Sequence, residues 1–319
     1  MKVTQGEVSG LLVVDKPKGW TSHDVIAKIR RKFKVKCGHS GTLDPMATGV
    51  LLVFTEKALK LLSLIEPEEM DKTYSFVVTL GATTDTYDAE GTVVSRFEGE
   101  IDFTPEELEK AVKAFTGTIK QTPPDFSAVK IKGQPAYKLA RKGKEVTIPP
   151  REVHVESLEC LEDFVENGER KLRMRVSCSR GTYIRSLAHD LAANLGFGGH
   201  LSFLRRERVG RWSEDMAISM EILENTENFA LTPSFIQDKE LTGFPKLIVT
   251  EDGERNVSNG RKIFLSDILS VKPGEKDSPY TDVLSKDGDL IAVYEITSES
   301  SSDGTLSCFK PVKVFNAGN

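Results

Sequence analysis

Cysteine is scarce in this 319-residue chain, and the few that occur are poorly placed for a shared task. Cys37, Cys160, Cys178 and Cys308 are scattered, form no CxxC and lie near no histidine pair. That spacing argues against zinc and against a disulfide framework and leaves four free thiols. No apolar run approaches a membrane span, and the start MKVTQGEVSG lacks the basic head and apolar stretch of a signal peptide. A cytoplasmic protein with no membrane association is therefore expected. The chain also lacks a P-loop and a Rossmann fingerprint, and without a metal-carboxylate cluster an aspartate-nucleophile hydrolase has no support.

An overall positive charge is missing too. The net charge is -5, which looks wrong for a nucleic-acid binder until the charges are followed along the chain. Residues 1–212 hold 33 Lys and Arg against 29 Asp and Glu, whereas 213–319 hold 10 against 19. In the first part the basic residues come in blocks: 28–36 (KIRRKFKVK), 130–144, 170–185 and 205–211. Gathered on one face, these blocks would track phosphates; taken singly, each reads as a solvated surface.

What is present is an ordinary globular composition, 39% hydrophobic and 29% charged, long enough for two domains. The segment GLLVVD, 10–15, reads as a buried strand closed by the turn Lys16-Pro17-Lys18-Gly19. A helix capped by Thr21 or Ser22 follows, with Val25, Ile29 and Phe33 on its inner face. Residues 50–54 form an apolar strand and 57–65 look helical. In the strand 73–80, Tyr74, Phe76, Val78 and Leu80 share one face. Thr104-Pro-Glu-Glu107 is a capping box opening a helix to about Phe115. The strand 171–178 alternates Leu172, Met174, Val176 and Cys178 with basic or polar residues. Thr182 then caps a helix striped by Ile184, Leu187, Leu191 and Leu195, ending at Gly196. Arg185 falls in its first turn, against the helix dipole, a placement that makes sense if a carboxylate meets it. Residues 217–246 are polar and loosely periodic, and beyond them short strands at 247–250, 290–296 and 309–315 alternate with glycine and serine turns.

Within this frame the run GHSGTLDPMATGVL, 38–51, stands out. It sets the lone carboxylate of Asp44 in a glycine-rich loop that Pro45 stiffens and that Ser40, Thr42 and Thr48 can brace. Such a loop can aim Asp44 at something. The plainer reading is an Asx turn, with Asp44 bonding its own backbone.

Together these segments resemble the bacterial TruB family of tRNA pseudouridine-55 synthases over nearly the whole chain. The likeness is carried by GLLVVDKPKGWTSHDV, GHSGTLDPMATGVL, Lys72-Thr-Tyr74-Ser-Phe76 with LGATTDTYDAEG, QTPPDFSAVKIKGQPAYKLAR, SRGTYIRSL and HLSFLRRERVG. The tail resembles the family's PUA module through VSNGRKI and KPVKVF. The resemblance implies isomerisation of one uridine in the T loop of tRNA: the N1–C1′ bond breaks, the uracil turns, and C5 bonds to C1′. It implies Asp44 as catalytic carboxylate, acting as nucleophile at C1′ or C6 or as a base at C2′, with Arg185 paired to it and Tyr74 stacked on the uracil. His39 would fill the vacancy left by the extruded base, and Tyr183 and Leu204 would contact substrate. Lys16 falls in the same substrate-binding set, with bracing of the loop as its expected role. Lys130, Lys132, Arg141 and Lys142, in the T-arm-gripping insertion 121–144, would hold RNA phosphates together with Arg205 and Arg206.

The expected architecture is thus α/β (α+β), with a catalytic domain over 1–245 built on a mixed, mostly antiparallel sheet and a β-barrel PUA domain over 246–319. The partner is the tRNA T-arm stem-loop, no cofactor or metal is needed, and a monomer is expected. Two alternatives remain: a guide-dependent relative, disfavoured by the 121–144 insertion, and a non-catalytic tRNA-folding protein, disfavoured by the presence of Asp44, Tyr74 and Arg185.

Overall fold

The computed structural model describes residues 8–65, 70–127, 129–131, 133–136, 139, 147–301 and 304–315. An eleven-stranded sheet organises the larger part. Its strands along the chain are β1 (Gly10–Lys16), β2 (Cys37–Ser40), β3 (Thr48–Thr55), β4 (Lys72–Leu80), β5 (Gly117–Gln121), β6 (Arg151–Glu166), β7 (Glu169–Cys178), β8 (Gly199–Val209), the short Trp212–Ser213, β9 (Ile218–Ser219) and β10 (Phe235–Gln237). The main path runs β9-β1-β3-β8-β4-β7-β6-β5, with β2 on β3 and β10 on β1. The pairs β1–β9 and β3–β8 are parallel and the others antiparallel, giving the mixed, largely antiparallel sheet expected.

Three helices flank this sheet in ways the sequence explains. In α1 (Ser22–Phe33), Thr21 and Asp24 form a reciprocal capping box, and Val25, Ile26 and Ile29 are buried. In α2 (Pro105–Ala114), the box of Thr104 and Glu107 is present with proline in the first turn. The third, α3 (Ile184–Asn194), buries Ile184, Leu187 and Leu191 against the face of β4 and β7 that carries Tyr74, Phe76, Val78, Leu172, Met174 and Val176. Its cap differs from expectation. Tyr183 takes the N-cap position without a side-chain bond, because the Thr182 hydroxyl donates back to Ser179 O at 2.9 Å and closes the preceding turn instead. The segment expected to be helical at 57–65 is a 3-10 run, Glu56–Ser63.

The tail forms a second, six-stranded sheet from β11 (Lys246–Val249), β12 (Ile263–Phe264), β13 (Ile268–Lys272), β14 (Tyr280–Leu284), β15 (Leu290–Ser301) and β16 (Gly304–Val314), in the order β12-β16-β15-β14-β11-β13. Among the described residues this path does not close. A helix not foreseen from the sequence, α4 (Glu251–Ser258), follows β11, capped by Thr250. The two sheets share one apolar cluster, in which Leu11, Val13, Val50, Leu52 and Phe54 meet Phe244, Leu284, Leu290, Val293 and Phe315. No helix among the described residues is long and apolar enough to cross a membrane.

Candidate active site

The loop 41–47 joins β2 to β3, and its main chain is tied down at several points. Ser22 Oγ accepts from Leu43 N at 2.9 Å, Arg206 Nη2 donates to Gly41 O at 2.9 Å, and Pro45 O accepts from Gly19 N at 2.8 Å. Two glycines are required here. Gly41 and Gly49 have φ of +70° and +99°, and a Cβ on Gly49 would stand 2.2 Å from Arg206 O, where the parallel β3–β8 pair is closest. So anchored, the loop does not spend Asp44 on an Asx turn. Its carboxylate turns to Arg185.

Arg185 is buried at 5% exposure, whereas Asp44 remains 36% exposed, so the cation is protein-enclosed and the carboxylate faces the opening. Nη2 donates to Asp44 Oδ1 at 3.3 Å and to Phe126 O at 2.9 Å, and Nη1 donates to Thr86 O at 3.1 Å. Nε lies 2.9 Å from Asp44 Oδ2 without the alignment of a hydrogen bond, so that contact acts through charge. A second acid completes the group: buried Asp88 places Oδ2 3.5 Å from Arg185 Nη1, while its Oδ1 accepts from Thr86 Oγ1 and Glu90 N at 2.7 and 3.1 Å. The first-turn arginine therefore has the carboxylate its position called for, and a further one. Fixed backbone acceptors hold the fork so that it can keep Asp44 oriented.

Tyr74 lies on β4 between Val176 and Arg206, almost fully buried, and burial raises its phenol above the ordinary tyrosine range. At neutral pH it is a protonated ring, suited to stacking and to donating a hydrogen bond. His39, on β2, has its ring edge-on to His23 at 5.8 Å, and burial, reinforced by His23 and Arg206, lowers its pKa and favours the neutral imidazole. A neutral ring is the form that can enter a base stack without a desolvated charge. Tyr183 is held through its main chain by the Gln121 amide, at 3.0 and 2.7 Å, with the Arg151 guanidinium 4.9 Å from its ring centre. Leu204, at 5% exposure, belongs to the cluster of Tyr74, Leu43 and Met46.

Two expectations need correction, and Lys16 leaves the substrate-binding set for the bracing role expected of it. Lys16 is fully buried, and its ammonium donates to Pro17 O, Trp20 O and Pro45 O at 3.0, 2.6 and 3.4 Å. Those bonds use its three donors, so it braces the Asp44 loop and has none left for substrate. Arg206 is 1% exposed and donates to Val50 O and Gly41 O, which places it inside the protein as a tie between β3 and the Asp44 loop. Arg205 grips both oxygens of Asp15 at 3.1 and 3.0 Å and Glu214 at 2.7 Å, so its charge is already matched. The surface blocks behave alike: Arg170, Lys171, Arg173 and Arg175 pair with Asp163, Glu166, Glu162 and Glu207. Lys130 starts a two-residue strand, Lys130–Ile131, while Lys132, Arg141 and Lys142 lie outside the described residues.

The sequence reading missed Asp88, Gln121 and Lys72. Asp88 and Gln121 sit in quoted motifs, TDTYD and QTPPDF, yet nothing in their spacing says that one meets Arg185 and the other fastens Tyr183. Lys72 precedes Tyr74 by two residues on the same strand face, which is a legible signal. Burial lowers its amine to about 8. Among the described residues no group of three or more His, Cys, Asp or Glu is placed to hold a metal ion.

Comparison with known proteins gives the chain's relatives. Residues 28–184 match the model of the TruB family pseudouridylate synthase N-terminal domain, and 185–234 that of the tRNA pseudouridylate synthase B C-terminal domain. The chain is 40% identical to the tRNA pseudouridine synthase B of Bacillus anthracis over 312 residues, 96% of this chain and 97% of the relative. It is 40% identical to that of Mycobacterium sp. (strain KMS) over 291 residues, 91% and 93% of the two. Among solved structures, a chain from a Cbf5-Nop10-Gar1 complex superposes with a TM-score of 0.65 at 26% identity, covering 99% of this chain and 88% of that one. The chain belongs to the TruB family of pseudouridylate synthases.

Proposed function

We propose that this protein is the stand-alone tRNA pseudouridine synthase that isomerises uridine 55 in the T loop, with Asp44 as its catalytic carboxylate. The observation that carries the reading is the exposed Asp44 carboxylate held by the enclosed Arg185 guanidinium. The reaction is an isomerisation. The N1–C1′ bond breaks, the uracil turns, C5 bonds to C1′, the C5 proton leaves and N1 gains one, so the atoms balance without an external oxidant or reductant. Asp44 supplies the group that bonds transiently to the nucleotide or takes a proton. Arg185 holds it in place and stands beside it as counter-charge as the site dries around the base. Tyr74 offers the stacking ring, His39 the wedge for the vacated place in the loop, and Tyr183 and Leu204 the neighbouring contacts. Extruding a stacked uridine costs roughly a few kcal/mol, which these contacts must offset.

The insertion 121–144, through Lys130, Lys132, Arg141 and Lys142, grips the T-arm phosphates, and RNA is read mostly by its folded shape. The domain over 246–319 is a PUA-like module beside a catalytic domain over 1–245. The protein acts as a cytoplasmic monomer, and the relatives' names support tRNA as substrate. The test is tritium release from unmodified tRNA labelled at uracil C5, with no guide RNA added. Release at one equivalent per tRNA is expected; binding without release would leave a non-catalytic tRNA-folding protein, and release only with a guide RNA would favour the guided relatives.

A further inference from the structure

Lys72 is the half-buried cation of the site with no assigned task. Among the described residues its ammonium has no hydrogen-bond or ion-pair partner, although Arg206 beside it is bonded to Val50 O and Gly41 O. On β4 it stands opposite Cys178 of β7 on one side and Val209 of β8 on the other, and it shares a face with Tyr74, about 7 Å along the strand. The neighbouring catalytic loop leaves room for it. A Cβ built on Gly41 would come within 3.5 and 3.6 Å of Lys72 Cε and Nζ and 3.3 Å of Arg206 Nη1, so the bare glycine backbone lies against two cations.

Burial is the largest effect on the Lys72 ammonium and disfavours it, as do Arg206 and, less, the exposed Arg180, while Cys178 and Asp71 act the other way. Cys178 is itself pushed up to about 11 by burial and stays a neutral thiol. A partly desolvated amine among guanidiniums is a poor way to stabilise a fold, but it is the arrangement that an incoming anion would complete.

We propose that Lys72, beside Gly41 of the catalytic loop and with Arg180, seats one phosphodiester of the bound RNA, within a nucleotide of the uridine that is isomerised. The inference rests on the reading of the site as an RNA isomerase. The seat fixes the backbone on one side of the extruded nucleotide while Tyr74 holds its base. Lys72 is a positioning residue in this account, and its contact is with the ribose-phosphate chain. The bond formed is a charge-assisted hydrogen bond, with no group transferred.

The experiment uses the full chain and a T-arm stem-loop carrying a neutral methylphosphonate at each linkage around the target uridine in turn. With wild-type protein, one linkage should weaken binding about tenfold beyond the others. In Lys72→Met that linkage should lose its special penalty, the overall Kd should rise by about the same factor, and the slope of log K against log salt should fall by about 1. Lys72→Arg should restore most of the affinity, and thermal melting checks that each variant folds. Equal penalties at every linkage in both proteins, or an unchanged salt slope in a folded Lys72→Met, would overturn the seat while leaving the isomerase reading intact. Failure of the wild-type protein to release tritium from the stem-loop would instead remove the reading on which it rests.

Discussion

Asp88 and Arg185 form the link that carries the sheet's far loop into the site: Asp88 Oδ2 stands 3.5 Å from Nη1 of the guanidinium whose Nη2 donates to Asp44. A buried guanidinium between two acids is fixed in direction. Asp88→Asn preserves the bonds from Thr86 and Glu90 in shape but removes one negative charge, so Arg185 should be drawn further toward Asp44. Single-turnover rates should fall by about tenfold with little change in Kd for tRNA. An unchanged rate would mean that the Thr86 and Phe126 carbonyls suffice to hold the fork.

Arg185→Lys tests the fork itself. A lysine keeps the charge but reaches Asp44, Thr86 and Phe126 with a single nitrogen, so the protein should fold while turnover drops on the order of 100-fold. Rapid-quench single-turnover kinetics beside thermal melting separates the two effects. Near-normal rates would contradict the role given to the guanidinium.

Gly49→Ala should be far more damaging to the fold than its size suggests. The new methyl would meet Arg206 O at 2.2 Å, and the backbone there has φ of +99°. Relief requires the β3–β8 pair to part, which would also pull Arg206 from Val50 O. A loss of at least about 3 kcal/mol in denaturant unfolding is expected. Gly133→Ala, where the added Cβ meets nothing among the described residues, is the contrasting case, with φ strain as its cost.

Asp282 should give the protein a pH-dependent weakness remote from the site. It is fully buried on β14, Thr242 donates to its Oδ2 at 2.6 Å, its Oδ1 has no partner, and burial pushes its carboxyl up to about 7. The native state then binds a proton that the unfolded chain, with its ordinary carboxyl near pH 4, has released. Stability contributed by this group is therefore full below about pH 4 and lost as pH rises through about 7. Asp282→Asn should raise the melting temperature at pH 8, by the equivalent of roughly 1–2 kcal/mol, and the gain should vanish toward pH 4. A gain independent of pH would show that the carboxyl is not the source.

Much of this molecule could be read before its coordinates. The capping boxes at Thr21 and Thr104, the alternation of β4 and β7 and the apolar stripe of α3 are local patterns, and local patterns survive in sequence. Arg185 was suspected because a cation opposes the first turn of a helix. The misreadings came from contacts that only tertiary structure makes. Arg205 and Arg206 are adjacent in a basic run, yet alternation along β8 sends one to Asp15 and Glu214 and the other into the interior against Val50 and Gly41. The block at 170–175 reads as basic because its carboxylate partners Glu162, Asp163 and Glu166 stand on the neighbouring strand β6. Asp88 was invisible for the same reason: its partner is nearly a hundred residues away.

The central claim is that Asp44 performs the isomerisation of uridine 55, and the most direct test maps the product. Purified protein and its Asp44→Asn variant are each incubated with unmodified tRNA, and pseudouridine is located by carbodiimide-blocked primer extension. The account predicts a single stop reporting position 55 with the wild-type protein and none with Asp44→Asn, although both bind the tRNA and melt alike. A stop of equal strength with the variant, or one at another position, would contradict it.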